Sequence, residues 1–269
     1  MGLASWWRRF APPISTWDGM SGAPPSGNGA SSFHLFWDVP AGAWTGAEVT
    51  IEILRPPTVP KLCFWALQVG FSDRGRSGGA GHLGPQGGST HPGGTAINWG
   101  GYGPNGGELE GSVSALPSGS GNVNTRDYAW RPRTPYRLRV YPLLGAAAAE
   151  APAPAGRTAW RGEVVDLTTG EATVVRELWA AGSTIDAPMM WSEIFAACDD
   201  PRIEVRWSDP AVVAADGRAV PVTSFTVNYQ SLSDGGCANT DVVVDDVGIV
   251  QMTNASRTTP QGARLRVGG

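Results

Sequence analysis

The chain has 269 residues, of which 41% are hydrophobic and 12 are tryptophan, and its net charge is −4. This apolar content predicts a packed interior, although Gly 37 and Pro 22 together make about a fifth of the chain. The weakly acidic balance argues against a nucleic-acid partner, which would need a basic stripe. No apolar run reaches the ~18 residues of a transmembrane helix, so we expect no membrane span.

The first 30 residues are rich in Trp, Pro, Gly and Ser, and we interpret residues 1–30 as an extension that packs on the domain through Trp17. Residues 31–269 are expected to form a single domain, because all-β sandwiches of this size often form one unit. The start of the chain lacks the apolar region of a signal peptide, so the sequence as written reads as cytoplasmic.

Three cysteines leave the compartment open. Cys63 lies inside an apolar stretch and is expected to be a small buried residue. Cys198 and Cys237 both lie in polar turn sequence, where they either pair or stay free. Pairing would favour an extracellular location, since disulfides persist in oxidising compartments.

Most of the chain alternates apolar and polar residues with a period of two, which is typical of half-buried strands. Residues 158–167 and 171–179 form the clearest hairpin, with Gly170 in the turn between them. An Ala- and Pro-rich stretch at 145–156 predicts a flexible surface insertion. Only 189–198 has a pattern that allows a short helix. Further strands are expected at 32–39, 47–54, 134–144, 203–207, 222–232, 241–252 and 263–267.

The stretch 62–102 organises the rest. An apolar run at 62–71 predicts a central strand, and the glycine-rich sequence after it predicts a long loop at 76–96 over one sheet face. Two short strands are expected around 81–83 and 96–99. No βα alternation and no repeat of 20–50 residues is visible. We therefore predict an all-β, two-sheet antiparallel sandwich of the jelly-roll or concanavalin-like type, with at most one or two short helices.

Five stretches carry a resemblance to known domains: FWALQVGF (64–71), GHLGPQ (81–86), AINWGGY (96–102), YAWRPRTPYRLRV (128–140) and the segment 227–254. They resemble a family of bacterial β-sandwich domains of unknown function that look like concanavalin-type lectin folds. The resemblance covers about two-thirds of the chain and implies a sandwich with a glycan-facing surface, but it implies no catalytic residue.

Catalytic and metal motifs are weak. Sandwich glycosidases carry paired carboxylates on one strand, whereas Glu48 and Glu52 are four apart and the pair Glu108 and Glu110 lies in a glycine-rich loop. No nucleophile or phosphate-binding motif is present. His82 and His91 lack zinc-like partners, so we expect ligand or loop hydrogen bonding from them.

We expect no cofactor. The metal considered is a structural calcium bound by acidic residues of a turn and strand, against the alternative that these charges protect a strand edge. The acidic residues in question are Asp241, Asp245 and Asp246.

The aromatic residues give the best functional indication, because a flat ring beside polar groups suits the apolar face of a sugar. The predicted ligand-binding residues are Trp99, Tyr102, Gln86, Asn98 and His82, with Trp130 as a further candidate. The first hypothesis is a lectin-like domain that binds a glycan or polysaccharide without catalysis. The alternatives are a glycan-active hydrolase or lyase on the same fold, and a structural protein with no small ligand. Two carboxylates, or a His with a Tyr or Arg, meeting in one cleft would favour the enzyme.

Overall fold

The computed structural model describes residues 20–268. The chain is nearly all β, and its strands form two antiparallel sheets of eight strands each, which confirms the predicted fold class. In these residues the α-helix is a single turn, α1 (Ala147–Glu150), inside the predicted Ala/Pro insertion, and no helix has the length and apolarity to cross a membrane.

The first sheet, called the front sheet, has the order β16-β13-β1-β10-β3-β4-β5-β6. Its strands are β1 Ser31–Trp37, β3 Cys63–Asp73, β4 Arg76–Gly87, β5 Thr95–Tyr102, β6 Thr125–Asp127, β10 Thr184–Ile194, β13 Ser224–Tyr229 and β16 Arg264–Arg266.

The second sheet, called the back sheet, has the order β14-β15-β11-β2-β7-β8-β9, and the short strand β12 pairs with β11. Its strands are β2 Gly46–Arg55, β7 Pro135–Pro142, β8 Thr158–Asp166, β9 Ala172–Ala180, β11 Glu204–Val213, β12 Ala219–Pro221, β14 Thr240–Val244 and β15 Ile249–Thr253.

The core lies between the two sheets and is rich in aromatic residues. Phe71 of the front sheet packs against Trp160 of the back sheet, with ring centroids 4.8 Å apart, and against Trp99 at 6.4 Å. The alternation of buried and less buried residues along strands such as β1 follows from the period of two. One residue in two therefore faces the core, and its neighbours face outward.

Three local predictions are wrong. Residues 189–198 do not form a helix, because most of them belong to β10, which pairs with β1 on one side and β3 on the other. The loop expected at 76–96 is wrong over 76–87, which is strand β4, although the short strand expected around 81–83 lies within it. The glycines of β4 allow close packing, because a Cβ at Gly84 would lie 1.7 Å from the Trp65 carbonyl oxygen. The stretch 241–252 is a hairpin of β14 and β15 instead of a single strand.

Cys198 and Cys237 form a disulfide with a Cα–Cα distance of 5.6 Å, and Cys63 is free and buried. The pairing is compatible with an oxidising compartment. The predicted packing of Trp17 on the domain lies outside the described residues.

Candidate functional site

The outward-facing surfaces of the two sheets differ in chemistry. On the back sheet, arginines and carboxylates pair across neighbouring strands, as in Arg137 with Glu48 at 3.0 Å and Arg206 with Glu52 at 2.8 Å. Glu48 and Glu52 are thus each paired with an arginine of a neighbouring strand. The outward face of the back sheet is therefore a polar surface whose charged groups pair with one another.

The front sheet carries rings on its outward face instead. The ring centroids of Phe64 and Trp191 are 4.9 Å apart, and His82 lies 5.6 Å from Phe64 and 5.9 Å from Trp191. Tyr102, with 51% of its surface exposed, lies 6.1 Å from His82. Rings from β3, β4, β5 and β10 thus form one aromatic cluster, which buries part of the face.

Strand register explains why these side chains meet. Phe36 pairs with Met189, Met189 with Gln68, and Gln68 with His82, so a row of side chains crosses β1, β10, β3 and β4. Directly opposed residues in antiparallel strands point to the same side of the sheet. The row therefore brings together residues that are far apart in sequence.

Two adjoining depressions follow this face, with volumes of about 330 Å³ and 360 Å³. Gln68 and Met189 line both, so the two depressions adjoin on the front sheet, and together they are called the trough. Its β1 end is lined by His34, Phe36, Trp191, Ser32 and Glu193, and its β5 end by Tyr102, Asp186, Ala187 and small residues of β3 and β4.

An irregularity in β10 shapes the trough. The pairing of β10 with β3 shifts between Asp186 and Met189, and Ala187 has φ 42°, a left-handed conformation that an alanine adopts at a cost. Asp186 lies against Gly70, where a Cβ would approach its Oδ1 to 2.0 Å. The bulge and the glycine together place a carboxylate over the floor of the trough.

Ionisable groups of the trough and of the aromatic cluster beside it are perturbed by burial. Burial lowers the pKa of His82 to about 4, so its imidazole is neutral at pH 7. Burial also lowers the pKa of His34, against the opposing effect of the Asn228 backbone. Burial raises the pKa of Glu193, although Asn28, which donates a 3.0 Å hydrogen bond to it, acts in the opposite direction. Perturbed groups in one depression are typical of functional sites.

The structure separates the five predicted ligand-binding residues. Tyr102 lines the trough, whereas His82 belongs to the adjoining aromatic cluster and lines neither depression. Gln86 and Asn98 face the same side but are only 8% and 7% exposed, and Asn98 Nδ2 donates to Thr125 Oγ1 at 2.7 Å. The prediction for Trp99 is wrong, because alternation along β5 turns it into the core, where it is 0% exposed and donates to the Trp160 carbonyl.

Trp130 is also buried, and its Nε1 donates to the Gln86 carbonyl oxygen at 2.7 Å. The residues that sequence reasoning missed are chiefly those of β10: Asp186, Trp191 and Glu193. Their signal was present in the alternation of Met189, Trp191 and Glu193, but the interpretation of 189–198 as a helix obscured it.

The acidic turn considered for calcium is occupied by the protein's own donors. The Asp241 carboxylate accepts from the backbone N–H groups of Thr258 and Thr259 and from the Thr258 hydroxyl, at 2.6–3.0 Å. Asp245 accepts instead from Arg206 at 2.7 Å. Residues 20–268 contain no group of three or more His, Cys, Asp or Glu side chains arranged to hold a metal ion.

No protein-family model and no curated protein matches this chain by sequence. Among solved structures, it is similar to a scytalido-glutamic peptidase bound to a peptide-based transition-state analogue, with 11% identity and a TM-score of 0.45 over 87% of this chain and 99% of the other. SCP-B, a peptidase of the eqolisin family in complex with the tripeptide Ala-Ile-His, gives 10%, 0.43 and the same coverage.

A bacteriophage CBA120 tailspike protein 2 domain gives 15% identity and a TM-score of 0.32 over 75% of this chain and 24% of the other. Likenesses at these identities and TM-scores say nothing about activity.

Proposed function

We propose that this protein binds an extended glycan in the trough of the front sheet. The observation that carries the proposal is that the two adjoining depressions lie between two exposed rings, Phe36 at 38% and Tyr102 at 51% exposure. These rings stand on strands β1 and β5, four strand spacings or about 19 Å apart. An extended oligosaccharide can span this distance and contact both rings, whereas a compact ligand would not require two rings so far apart.

The polar groups of the trough suit hydroxyl groups. Gln68 offers an amide at its middle, and carboxylates lie toward its two ends, Glu193 at one and Asp186 at the other. Rings that contact apolar sugar faces, with a small number of polar groups that fix orientation, form the usual pattern of a carbohydrate site.

The test is binding to a panel of neutral and acidic polysaccharides, measured by affinity electrophoresis and calorimetry. Tyr102→Ala and Phe36→Ala are expected to weaken binding at least tenfold each. Tyr141→Ala is the matched control, because Tyr141 lies on the back sheet, where its hydroxyl donates to Glu163. Binding that both trough variants retain would contradict the proposal.

A second candidate is cleavage of an acidic glycan in the same trough, and one observation favours it. His82 and Tyr102 meet on the outward face with Gln68 directly opposite His82 on the neighbouring strand. In an elimination, neutral His82 would take the proton next to the sugar carboxylate and the Tyr102 hydroxyl would protonate the departing oxygen.

A paired-carboxylate hydrolase is less well supported. Asp186 and Glu193 are seven positions apart on β10, or about 20 Å, whereas glycosidase pairs lie ~5–10 Å apart. Elimination gives an unsaturated product that absorbs in the ultraviolet. Appearance of this product with the native protein and its loss in His82→Asn would support this second function. Binding without a new product would support the binding function and contradict cleavage.

A further inference from the structure

Ser120, His91 and Asp127 form a hydrogen-bonded chain at the edge of the front sheet, outside the trough. Ser120 Oγ lies 2.8 Å from His91 Nε2, and His91 Nδ1 lies 2.5 Å from Asp127 Oδ1. A nucleophile within reach of a base, which is itself oriented by a third group, is the arrangement of an activated serine. We propose that this trio is a serine-nucleophile site that hydrolyses carboxylic esters.

The tertiary structure assembles the trio from three segments. His91 belongs to the connection between β4 and β5, Ser120 to the long connection between β5 and β6, and Asp127 ends β6. Their separations in sequence match no nucleophile motif, which explains why the sequence predicts none. The three residues can be recognised only by geometry.

Hydrogen bonds fix the role of each member. The Asp127 carboxylate accepts from the Gly119 N–H at 2.9 Å as well as from His91, and both contacts hold the pKa of Asp127 below its usual range. An ionised carboxylate at Nδ1 keeps the proton on that nitrogen, so Nε2 is left to accept from the Ser120 hydroxyl. Asp127 is accordingly a positioning residue, whereas Ser120 and His91 act on the substrate.

The residues of the trio differ in solvent exposure, as a hydrolytic site requires. His91 is buried, with only 4% of its side chain exposed, whereas Ser120 is exposed to solvent. Glycines precede and follow Ser120, so neither neighbour's side chain covers the hydroxyl. The backbone N–H of Asn122 donates to Ser120 Oγ at 3.3 Å, and Ser118 Oγ lies 3.4 Å from the same atom, so the hydroxyl also contacts its own loop.

The reaction balances without a cofactor. Ser120 Oγ bonds to the ester carbonyl carbon while its proton passes to His91 Nε2. The bond from that carbon to the alcohol oxygen then breaks, and the alcohol leaves with the proton. Water attacks the acyl-serine by the same route, which releases the carboxylic acid and restores the hydroxyl.

The site is separate from the proposed glycan trough. Asp127 pairs with Ala96, Ala96 with Gln86 and Gln86 with Phe64, which puts Asp127 three strand spacings, about 14 Å, from the aromatic cluster. The two proposals therefore concern different parts of the front sheet, and failure of one proposal does not decide the other.

The test uses p-nitrophenyl acetate as substrate and a fluorophosphonate as covalent probe, with the labelled residue identified by mass spectrometry. We expect labelling at Ser120 and at least a 100-fold loss of hydrolysis in Ser120→Ala, and a cooperative thermal transition shows that this variant is folded. Ser233→Ala is the matched control: it is an exposed turn serine whose hydroxyl is bonded to Ser231.

Asp127→Asn should lower kcat while leaving KM within about twofold, because it changes the orientation of His91 and not the ester's contacts. The proposal is overturned if Ser120 is not labelled, if Ser120→Ala retains hydrolysis, or if Asp127→Asn changes only KM.

Discussion

Trp191 Nε1 donates a 3.0 Å hydrogen bond to Gln68 Oε1 across the paired strands β10 and β3. The bond crosses the middle of the trough and fixes two of its lining side chains at once. It also orients the Gln68 amide, because one of its ends is committed as an acceptor and leaves the NH₂ group to face a ligand. A structural contact and a candidate binding contact therefore share one residue.

Replacement of Gln68 should separate these two roles. Gln68→Leu removes the acceptor and leaves the Trp191 N–H unpaired, so we expect the free energy of unfolding to fall by about 1–2 kcal/mol. Gln68→Glu keeps an oxygen at that place and should retain most of the stability. Denaturant unfolding measures both variants, and equal stability of the two would show that the hydrogen bond contributes nothing.

Acid should destabilise the fold through His82. The unfolded chain takes up a proton at His82 as the pH falls through about 6.5, whereas the folded protein does not until about pH 4. Stability contributed by neutral His82 is therefore present above pH 6.5 and is lost between 6.5 and 4, by up to about 3 kcal/mol.

Two residues that line the trough contribute to the same pH dependence of stability. The lowered pKa of His34 adds to the loss of stability on acidification. The raised pKa of Glu193 opposes this loss, because the folded state takes up a proton at a higher pH than the unfolded chain does. The quantity to measure is thus the difference between the native protein and His82→Gln in urea unfolding at pH 4–7. If the two proteins show the same pH dependence, burial of His82 has no energetic consequence.

Loss of the disulfide should lower stability substantially. The bridge closes a loop with a sequence separation of 39 residues, for which chain entropy gives about 4 kcal/mol. We expect the Cys198→Ser, Cys237→Ser double variant to unfold at a correspondingly lower denaturant concentration.

The free Cys63 should not react in the folded protein. Burial raises its pKa to about 12, so iodoacetamide should leave the native, oxidised protein unlabelled. Rapid labelling of Cys63 would contradict its burial.

Gly162 should not tolerate a side chain, because Trp99 occupies the space. A Cβ there would lie 2.5 Å from Trp99 Cγ, so Gly162→Ala should cost about 1–3 kcal/mol through displacement of that ring. Gly27→Ala is the matched control, since no atom lies within 4 Å of the added Cβ. Thermal unfolding compares the two, and similar melting temperatures would show that the core adapts freely around Trp99.

The sequence by itself determined the fold class. A two-residue alternation exposes one strand face and buries the other, and this pattern, with no helical crossovers, requires antiparallel sheets packed together. The same alternation puts positions 99 and 102 on opposite faces of a strand, yet both residues were expected to bind a ligand, because the pattern does not say which face is covered. The high glycine content of β4 predicted a loop. These glycines are instead required by close contacts with Trp65 and Trp99, which the local sequence does not reveal.

Only the tertiary structure decided the sites. Strand register set Gln68 opposite both Met189 and His82, and a bulge in β10 turned Asp186 over Gly70. Loop packing likewise brought Ser120, His91 and Asp127 within hydrogen-bonding distance. The physical reason is that periodicity is a local property of each strand, whereas register and loop contacts come from long-range pairing whose partners lie up to two hundred residues away.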